Sequence, residues 1–179
     1  MDLEARLLRL VDEAEVKRVQ LRYCRGLDRM DWGLVRACFH PDATHDLGPF
    51  KGTVEEFIPW VSALMPSFES TTHFGGSQTV EIDGDDAWAE QYVRAYHRTA
   101  ATDDGPAVDW ILNLRYVDHL TRRAGEWRIA HRRCACESQR TDAVVGDAAL
   151  GPEWLRGTRS PDDVSYERRS SSAKELRHA

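Results

Sequence analysis

Apolar residues recur at helical spacing near the start of the chain. Leu3, Leu7, Leu10, Val11, Ala14, Val19 and Leu21 fall three or four apart, with charges between them. That spacing predicts one amphipathic helix over 2–26, with Gly26 as its end or a kink. Asp31 is placed to N-cap a short helix over 32–39. His40-Pro41 stops it, because the residue before a proline disfavours helical backbone. Residues 43–50 read as a short strand ending at Gly48-Pro49. Thr53-Val54-Glu55-Glu56 is a capping box, with a hydroxyl at the N-cap and a carboxylate three residues on. It opens a third helix reaching about Leu64, with an irregularity expected at Pro59 and a stop at Met65-Pro66.

Beyond residue 72 the period changes to two. Strands are predicted over 72–82, 86–100, 107–120 and 127–137. Asp83-Gly84-Asp85, a polar loop over 101–106 and Arg123-Ala124-Gly125-Glu126 join them. Three helices followed by an antiparallel meander predict an α+β domain over 1–137, with helices on one face of a curved sheet. Residues 138–179 are polar, carry Gly151-Pro152 and Ser160-Pro161, and read as a tail. In that tail Val144, Val145, Leu150, Trp154 and Leu155 either dock over a pocket mouth or extend freely.

Alternation gives each strand two faces. In the second strand Ala87, Ala89, Gln91, Val93, Ala95 and His97 form a small, mostly apolar face suited to the inside. Trp88, Glu90, Tyr92, Arg94, Tyr96 and Arg98 form a large amphipathic one suited to another subunit. In the third strand we assign Ile111, Asn113, Arg115 and Val117 inward. Trp110, Leu112, Leu114 and Tyr116 are then an exposed apolar stripe, which predicts a homodimer or homotrimer through the sheet face. Inward His97 and Asn113 would be polar groups in an apolar concavity, where each needs a partner or a ligand.

Composition narrows the class. The chain has 179 residues, 41% hydrophobic and 30% charged, enough for one core and a tail. A net charge of -6 argues against a nucleic-acid partner. No apolar run approaches a membrane span, and the acidic Met1-Asp2-Leu3-Glu4 does not resemble a signal peptide, so a cytoplasmic location is expected. Cys24, Cys38, Cys134 and Cys136 form no CxxC pair and read as reduced thiols. No HExxH, GxSxG or phosphate loop is present.

The candidate chemistry gathers at Thr71-Thr72-His73-Phe74-Gly75-Gly76. Histidine alone titrates near neutral pH, though a lone strand histidine can equally be packed or surface-exposed. Asp28 on the first helix could reach it, or could simply cap a turn. His97 could be structural. His45 and Asp46 could line the mouth or face solvent. His40, His119, His131 and His178 read as structural or surface residues.

Several segments together resemble the SnoaL-like branch of the NTF2-like superfamily: Tyr23 followed by Leu27-Asp28-Arg29-Met30-Asp31-Trp32, Phe39-His40-Pro41-Asp42-Ala43, and Gly125-Glu126-Trp127-Arg128-Ile129. The resemblance covers about 5–137 and implies a cone-shaped α+β barrel (NTF2-like/cystatin-like). Within that branch the chain is similar to the scytalone dehydratases. That likeness implies Asp28, His73 and His97 as catalytic residues, with Tyr23, Asn113, Leu27, Leu47 and Ile111 around the substrate. Leu27 and Leu47 stand where those enzymes carry tyrosines, which argues for a different substrate.

The implied activity is a dehydratase that needs no cofactor or metal and acts on a small hydrophobic oxygenated molecule. A carboxylate on one imidazole nitrogen fixes the tautomer and stabilises the imidazolium formed when the other nitrogen takes a proton. The same dyad would serve a ketosteroid-isomerase-like isomerase or a polyketide cyclase. A non-catalytic binding protein and an oxygenase small subunit are the rivals from other classes.

Overall fold

The computed structural model describes residues 2–103, 105–145 and 151–167. Helix α1 (Leu3–Asp28) opens at Asp2, whose carboxylate accepts from Ala5 N at 2.8 Å. It runs through Gly26 without ending there. A Cβ at Gly26 would lie 2.7 Å from Val35 Cγ2, so the missing side chain is what lets α2 (Trp32–Ala37) pack on α1. The continuous helix carries Asp28 on its last turn. Met30, at φ 50, then turns the chain into Asp31. Asp31 caps α2 as predicted, accepting from Leu34 N at 2.9 Å.

Helix α3 (Val54–Leu64) starts with the predicted capping box. Thr53 Oγ1 accepts from Glu56 N, and Glu56 Oε2 accepts from Thr53 N. Pro59 sits inside α3 without breaking it. Proline removes only the bond from its own nitrogen to the Glu55 carbonyl, one loss in a helix otherwise held by packing. A 3-10 turn, Met65–Ser67, follows.

The strands are β1 (Phe39–Asp46), β2 (Lys51–Thr53), β3 (Ser70–Asp83), β4 (Asp86–Thr99), β5 (Val108–Arg123) and β6 (Glu126–Ala143). They form one sheet in the order β2-β1-β6-β5-β4-β3. The class is α+β as predicted, with two refinements. The sheet is mixed, because β1 runs parallel to β6, and it is open, with β2 and β3 at its edges. β6 also continues past 137 to Ala143, held by pairing Ser138 through Ala143 against the first half of β5.

The buried face of α1 is Val16, Val19, Gln20, Tyr23, Cys24 and Leu27. Leu3, Leu7, Leu10 and Val11, expected to face the core, are each more than half exposed. The anchor at Asp12 explains this. Its carboxylate accepts from Arg122 Nη1 at 2.8 Å and Trp127 Nε1 at 2.9 Å, at the β5–β6 turn. The turns of α1 before it therefore extend past the end of the sheet.

Between helices and sheet lies the core, with Val16, Val35, Phe39, Phe57, Leu120 and Ile129 fully buried. Each large apolar side chain sealed there contributes about 1.5–3 kcal/mol. The inner face of β4 is Ala87, Ala89, Gln91, Val93, Ala95 and His97, as predicted. The inner face of β5 is the other list. His97, Ala95, Val93 and Gln91 pair with Trp110, Leu112, Leu114 and Tyr116, and cross-strand partners share a face. The apolar stripe of β5 is therefore inside, and Asn113 and Arg115 are outside.

On β6 an irregularity lets His119 pair with His131 and Leu120 with Ile129, leaving Ala130 as an extra residue. This bulge changes the phase of the strand. Arg132 turns inward as a result and becomes fully buried. Among the described residues no helix is long and apolar enough to cross a membrane.

Candidate active site

A cavity of about 690 Å³ opens between α1, α3 and the inner face of the sheet. Its walls are mainly apolar, with Phe57, Trp60 and Leu64 from α3, Leu27 from α1, and Trp110 and Leu112 from β5. The size and lining suit one small organic molecule. Two imidazoles interrupt the apolar wall, His73 from β3 and His97 from β4.

Asp28 leaves the last turn of α1 and meets β3 side-on. Its Oδ1 lies 2.7 Å from His73 Nδ1 and accepts from Thr71 Oγ1 at 3.1 Å, while Oδ2 accepts from His73 N at 2.8 Å. The carboxylate thus grips both the ring and the backbone of one residue, which fixes His73 in position and orientation. The His73 side chain is 5% exposed and that of Asp28 13%. With the carboxylate at Nδ1, the neutral ring carries its proton there and leaves Nε2 as a base. Among the described residues nothing hydrogen-bonds Nε2, and the ring lines the cavity.

The His97 ring stands edge-on to His73, with centroids 5.3 Å apart and planes at 88°. Phe68 at 4.7 Å and Trp110 at 5.3 Å enclose it. Burial first, then the nearby His73, lower its pKa to about 4; Asp28 and the Trp110 backbone pull the other way, and Arg159 adds the smallest push downward. At neutral pH His97 is an uncharged imidazole, able to donate one hydrogen bond and accept another.

Below the cavity floor lies a polar stack that the sequence did not announce. The Arg132 guanidinium sits between the rings of Tyr23 and Tyr116, 4.0 and 4.2 Å from their centroids. It forks onto Asp118, Nε to Oδ1 at 2.6 Å and Nη2 to Oδ2 at 2.7 Å. Gln20 Nε2 donates to Asp118 Oδ2 at 2.8 Å. Tyr23 OH lies 3.3 Å from His45 Nε2, and His45 stacks on Phe57 at 4.2 Å. Burial first, then Arg132, lower the His45 pKa to about 3, so the ring facing the phenol is neutral. Neither rim nor solvent describes His45, which is 1% exposed.

Of the expected site residues, His73, His97, Tyr23, Leu27 and Leu47 line the cavity, and Asp28 stands behind His73. Asn113 and Ile111 do not. Asn113 is on the outer face, donating to Ser138 Oγ at 3.0 Å. Ile111 pairs with Tyr96 and Arg140 on that same face. Trp110 takes the place given to Asn113. Its stripe was the more apolar list of β5, and that is the signal that should have put it inside. Among the described residues no three His, Cys, Asp or Glu side chains converge as metal ligands.

A family model for the SnoaL-like domain matches residues 8–133. The chain belongs to the SnoaL-like family. Solved structures resemble this SnoaL-like chain along most of its length. One is the Kfla4162 protein from Kribbella flavida, 24% identical, with 74% of this chain and 95% of that one covered and a TM-score of 0.68. Another is a candidate scytalone dehydratase from Novosphingobium aromaticivorans, 21% identical, covering 83% and 97% with a TM-score of 0.65. A third is a type 2 hexachlorocyclohexane dehydrochlorinase, LinA, 17% identical, covering 83% and 99% with a TM-score of 0.69. At these identities the likeness is one of fold. No curated protein matches the chain significantly.

Proposed function

We propose that this SnoaL-like protein is a cofactor-independent lyase, a dehydratase acting on a small hydrophobic oxygenated molecule. The observation that carries the reading is the imidazole of His73, held by Asp28 at 2.7 Å, with its free nitrogen on an apolar cavity. His73 Nε2 takes an acidic proton from a carbon next to a carbonyl. The C–H electron pair becomes the new C=C bond, and the C–O bond to the β-hydroxyl breaks. The proton on Nε2 passes to the departing hydroxide, so water leaves and the ring is neutral again. Asp28 stabilises the imidazolium between those two events.

His97 is uncharged at neutral pH, so its part is to hydrogen-bond the substrate oxygen rather than to deliver a proton as a cation. The apolar walls exclude water and strengthen both interactions. Two of the similar structures bear the names of eliminating enzymes, a dehydratase and a dehydrochlorinase, in keeping with this reading. Trp88 and Tyr92, each about half exposed on the outer sheet face, are where self-association would take place.

A substrate panel supplies the test. Aryl β-hydroxy ketones are incubated with the protein in D2O, and deuterium uptake beside the carbonyl is followed by NMR together with enone absorbance. The parent chain should catalyse both, and His73→Ala and Asp28→Asn should each lose about 10²–10⁴-fold. A variant that retains the parent rate, or a parent inactive on every panel member, would end the proposal.

A further inference from the structure

The segment after β6 comes back to the two elements that bracket the dyad. Asp163, 4% exposed, accepts from Arg29 Nη1 at 2.5 Å, Thr158 N at 2.9 Å and Ser165 N at 3.0 Å. Arg29 Nη1 also donates to the Thr158 carbonyl at 2.6 Å. One turn earlier on α1, Arg25 donates to Ser165 Oγ at 3.0 Å and lies 4.9 Å over the ring of Tyr166. The segment is thus fastened to α1 at the residue next to Asp28. Of the apolar residues read as either docking or extending freely, Val145, Trp154 and Leu155 are 88%, 61% and 75% exposed, Val144 is half-buried with its N donating to the Ala107 carbonyl at 2.9 Å, and Leu150 lies outside the described residues. Charge holds this strap in place.

Between those anchors Arg159 reaches to the opposite wall of the cavity. Its Nη1 donates to the Phe68 carbonyl at 2.6 Å and its Nη2 to the Met65 carbonyl at 3.0 Å. These carbonyls lie at the end of the 3-10 turn after α3: Met65 O already accepts from Phe68 N at 3.2 Å and takes Arg159 as a second donor, and the Phe68 carbonyl lies just beyond the turn. A planar guanidinium matches two such acceptors at once; an ammonium does not. Met65 and Phe68 both line the cavity, and the Phe68 ring is packed 4.7 Å from His97. Arg159 Nε is buried without a partner, so the side chain is held by its fork alone.

We propose that Arg159 is a positioning residue for the His97 side of the cavity. The strap, fastened to α1 beside Asp28, uses the Arg159 fork to fix the Met65–Phe68 turn and so to seat Phe68 against His97. The role rests on the lyase reading above, since it concerns the same site. Through the strap, the end of α1 that bears Asp28 and the wall that shields His97 are held at one spacing. The groups facing His97 are His73 on β3, Asp28 on α1 and Arg159 on the strap, with Phe68 and Trp110 shielding the ring.

The test uses the full chain with Arg159→Met, which removes fork and charge, and Arg159→Lys, which keeps the charge alone. Two readouts are followed, amide hydrogen exchange over residues 65–69 and NMR titration of the His97 ring. In Arg159→Met the exchange over 65–69 should rise at least about tenfold. The His97 midpoint should move up from about 4, because a cation is lost and water gains access once Phe68 loosens. Arg159→Lys should show the exchange increase with a smaller titration shift, and it carries the test by itself should the methionine variant not fold. Variants that match the parent in both readouts overturn the proposal. Neither readout requires turnover, so a failure of the lyase assay and a failure of the clamp are separate results.

Discussion

Two aspartates inside this protein hold cationic or titratable partners at nearly the same distance, Asp118 with Arg132 and Asp28 with His73. Asp118 is closed on every side. Arg132 takes both of its oxygens, Gln20 adds a third donor, and Asp118 and Arg132 are 1% and 0% exposed. The guanidinium cannot lose its charge at any working pH, and two tyrosine rings cover its faces. Asp28 is gripped as tightly, by Thr71 Oγ1, His73 N and His73 Nδ1. Its partner, however, is an imidazole with one nitrogen that no described residue hydrogen-bonds, on a cavity wall. A carboxylate whose partner is permanently charged and sealed from solvent, here with Arg132 Nη1 left without a hydrogen-bond partner, serves the fold. The same carboxylate with a half-satisfied, titratable partner can turn binding into proton transfer.

The largest expected effect separates the two directly. Asp118→Ala leaves Arg132 charged and unpaired in the core, which costs about 3–5 kcal/mol. Asp28→Ala strands no permanently charged group but leaves Thr71 Oγ1, His73 N and His73 Nδ1 without their acceptor, so its cost should be smaller, about 1–3 kcal/mol. Guanidinium denaturation of the two variants checks this. For a chain of this size the Asp118 variant should also melt about 6–20 °C lower than the parent. Equal losses in the two variants would remove the distinction.

A smaller effect comes from the neutral histidines that adjoin each pair, His45 over the Tyr23–Arg132 stack and His97 beside the dyad. Their pKa values fall from 6.5 to about 3 and about 4. Both are bases with depressed values, so between pH 6.5 and the folded value the unfolded chain binds protons that the folded chain refuses. Stability from these rings is present above pH 6.5 and is lost as pH falls through about 4 and then about 3. The full loss is on the order of 5 kcal/mol for His45 and 3 kcal/mol for His97. Denaturation midpoints measured from pH 7 to 4 should fall, and His45→Phe, which can keep the stack on Phe57, should flatten the curve. A His45→Phe curve parallel to that of the parent would mean that His45 is not held neutral.

The two pairs were not equally legible in the sequence. Asp28 and His73 announced themselves because each sits in a short segment with a recognisable neighbourhood, although Leu3, Leu7, Leu10, Val11 and Leu21 of the periodic positions read on α1 face solvent. The exit of α1 was misread at Gly26, since close packing against Val35 and a helix terminus ask for the same residue. Asp118 and Arg132 were invisible. Arg132 lies in a His-Arg-Arg run whose inward member is chosen by a bulge at Ala130, and bulges leave no reliable trace in an alternating pattern. Asn113 and Ile111 were placed inside because the phase of β5 was set by its polar residues. The physics ran the other way: the list of Trp110, Leu112, Leu114 and Tyr116 had more to gain from burial. The strap leaves no trace in an apolar pattern, because its docking runs through Arg25, Arg29, Arg159 and Asp163.

The third donor of each aspartate offers the finest comparison. Gln20 serves Asp118 in a region sealed from water, and it is itself 0% exposed. Gln20→Leu should therefore cost about 1.5–3 kcal/mol of stability, the range for a lost bond to a charged group that water cannot replace. Thr71, itself 4% exposed, serves Asp28, whose side chain is 13% exposed and keeps two donors from His73 when the hydroxyl is lost. Thr71→Val should cost about 0.5–1 kcal/mol by denaturation. Its effect should instead be seen in turnover, because a carboxylate with one donor fewer holds His73 less firmly at the angle that proton transfer requires. A several-fold loss of rate with little loss of stability at Thr71, set against the reverse at Gln20, would place the boundary between the two regions within one shell of hydrogen bonds. Matching stability losses at both positions would instead make the Asp28 pair a second structural anchor, and the free nitrogen of His73 an accident of packing.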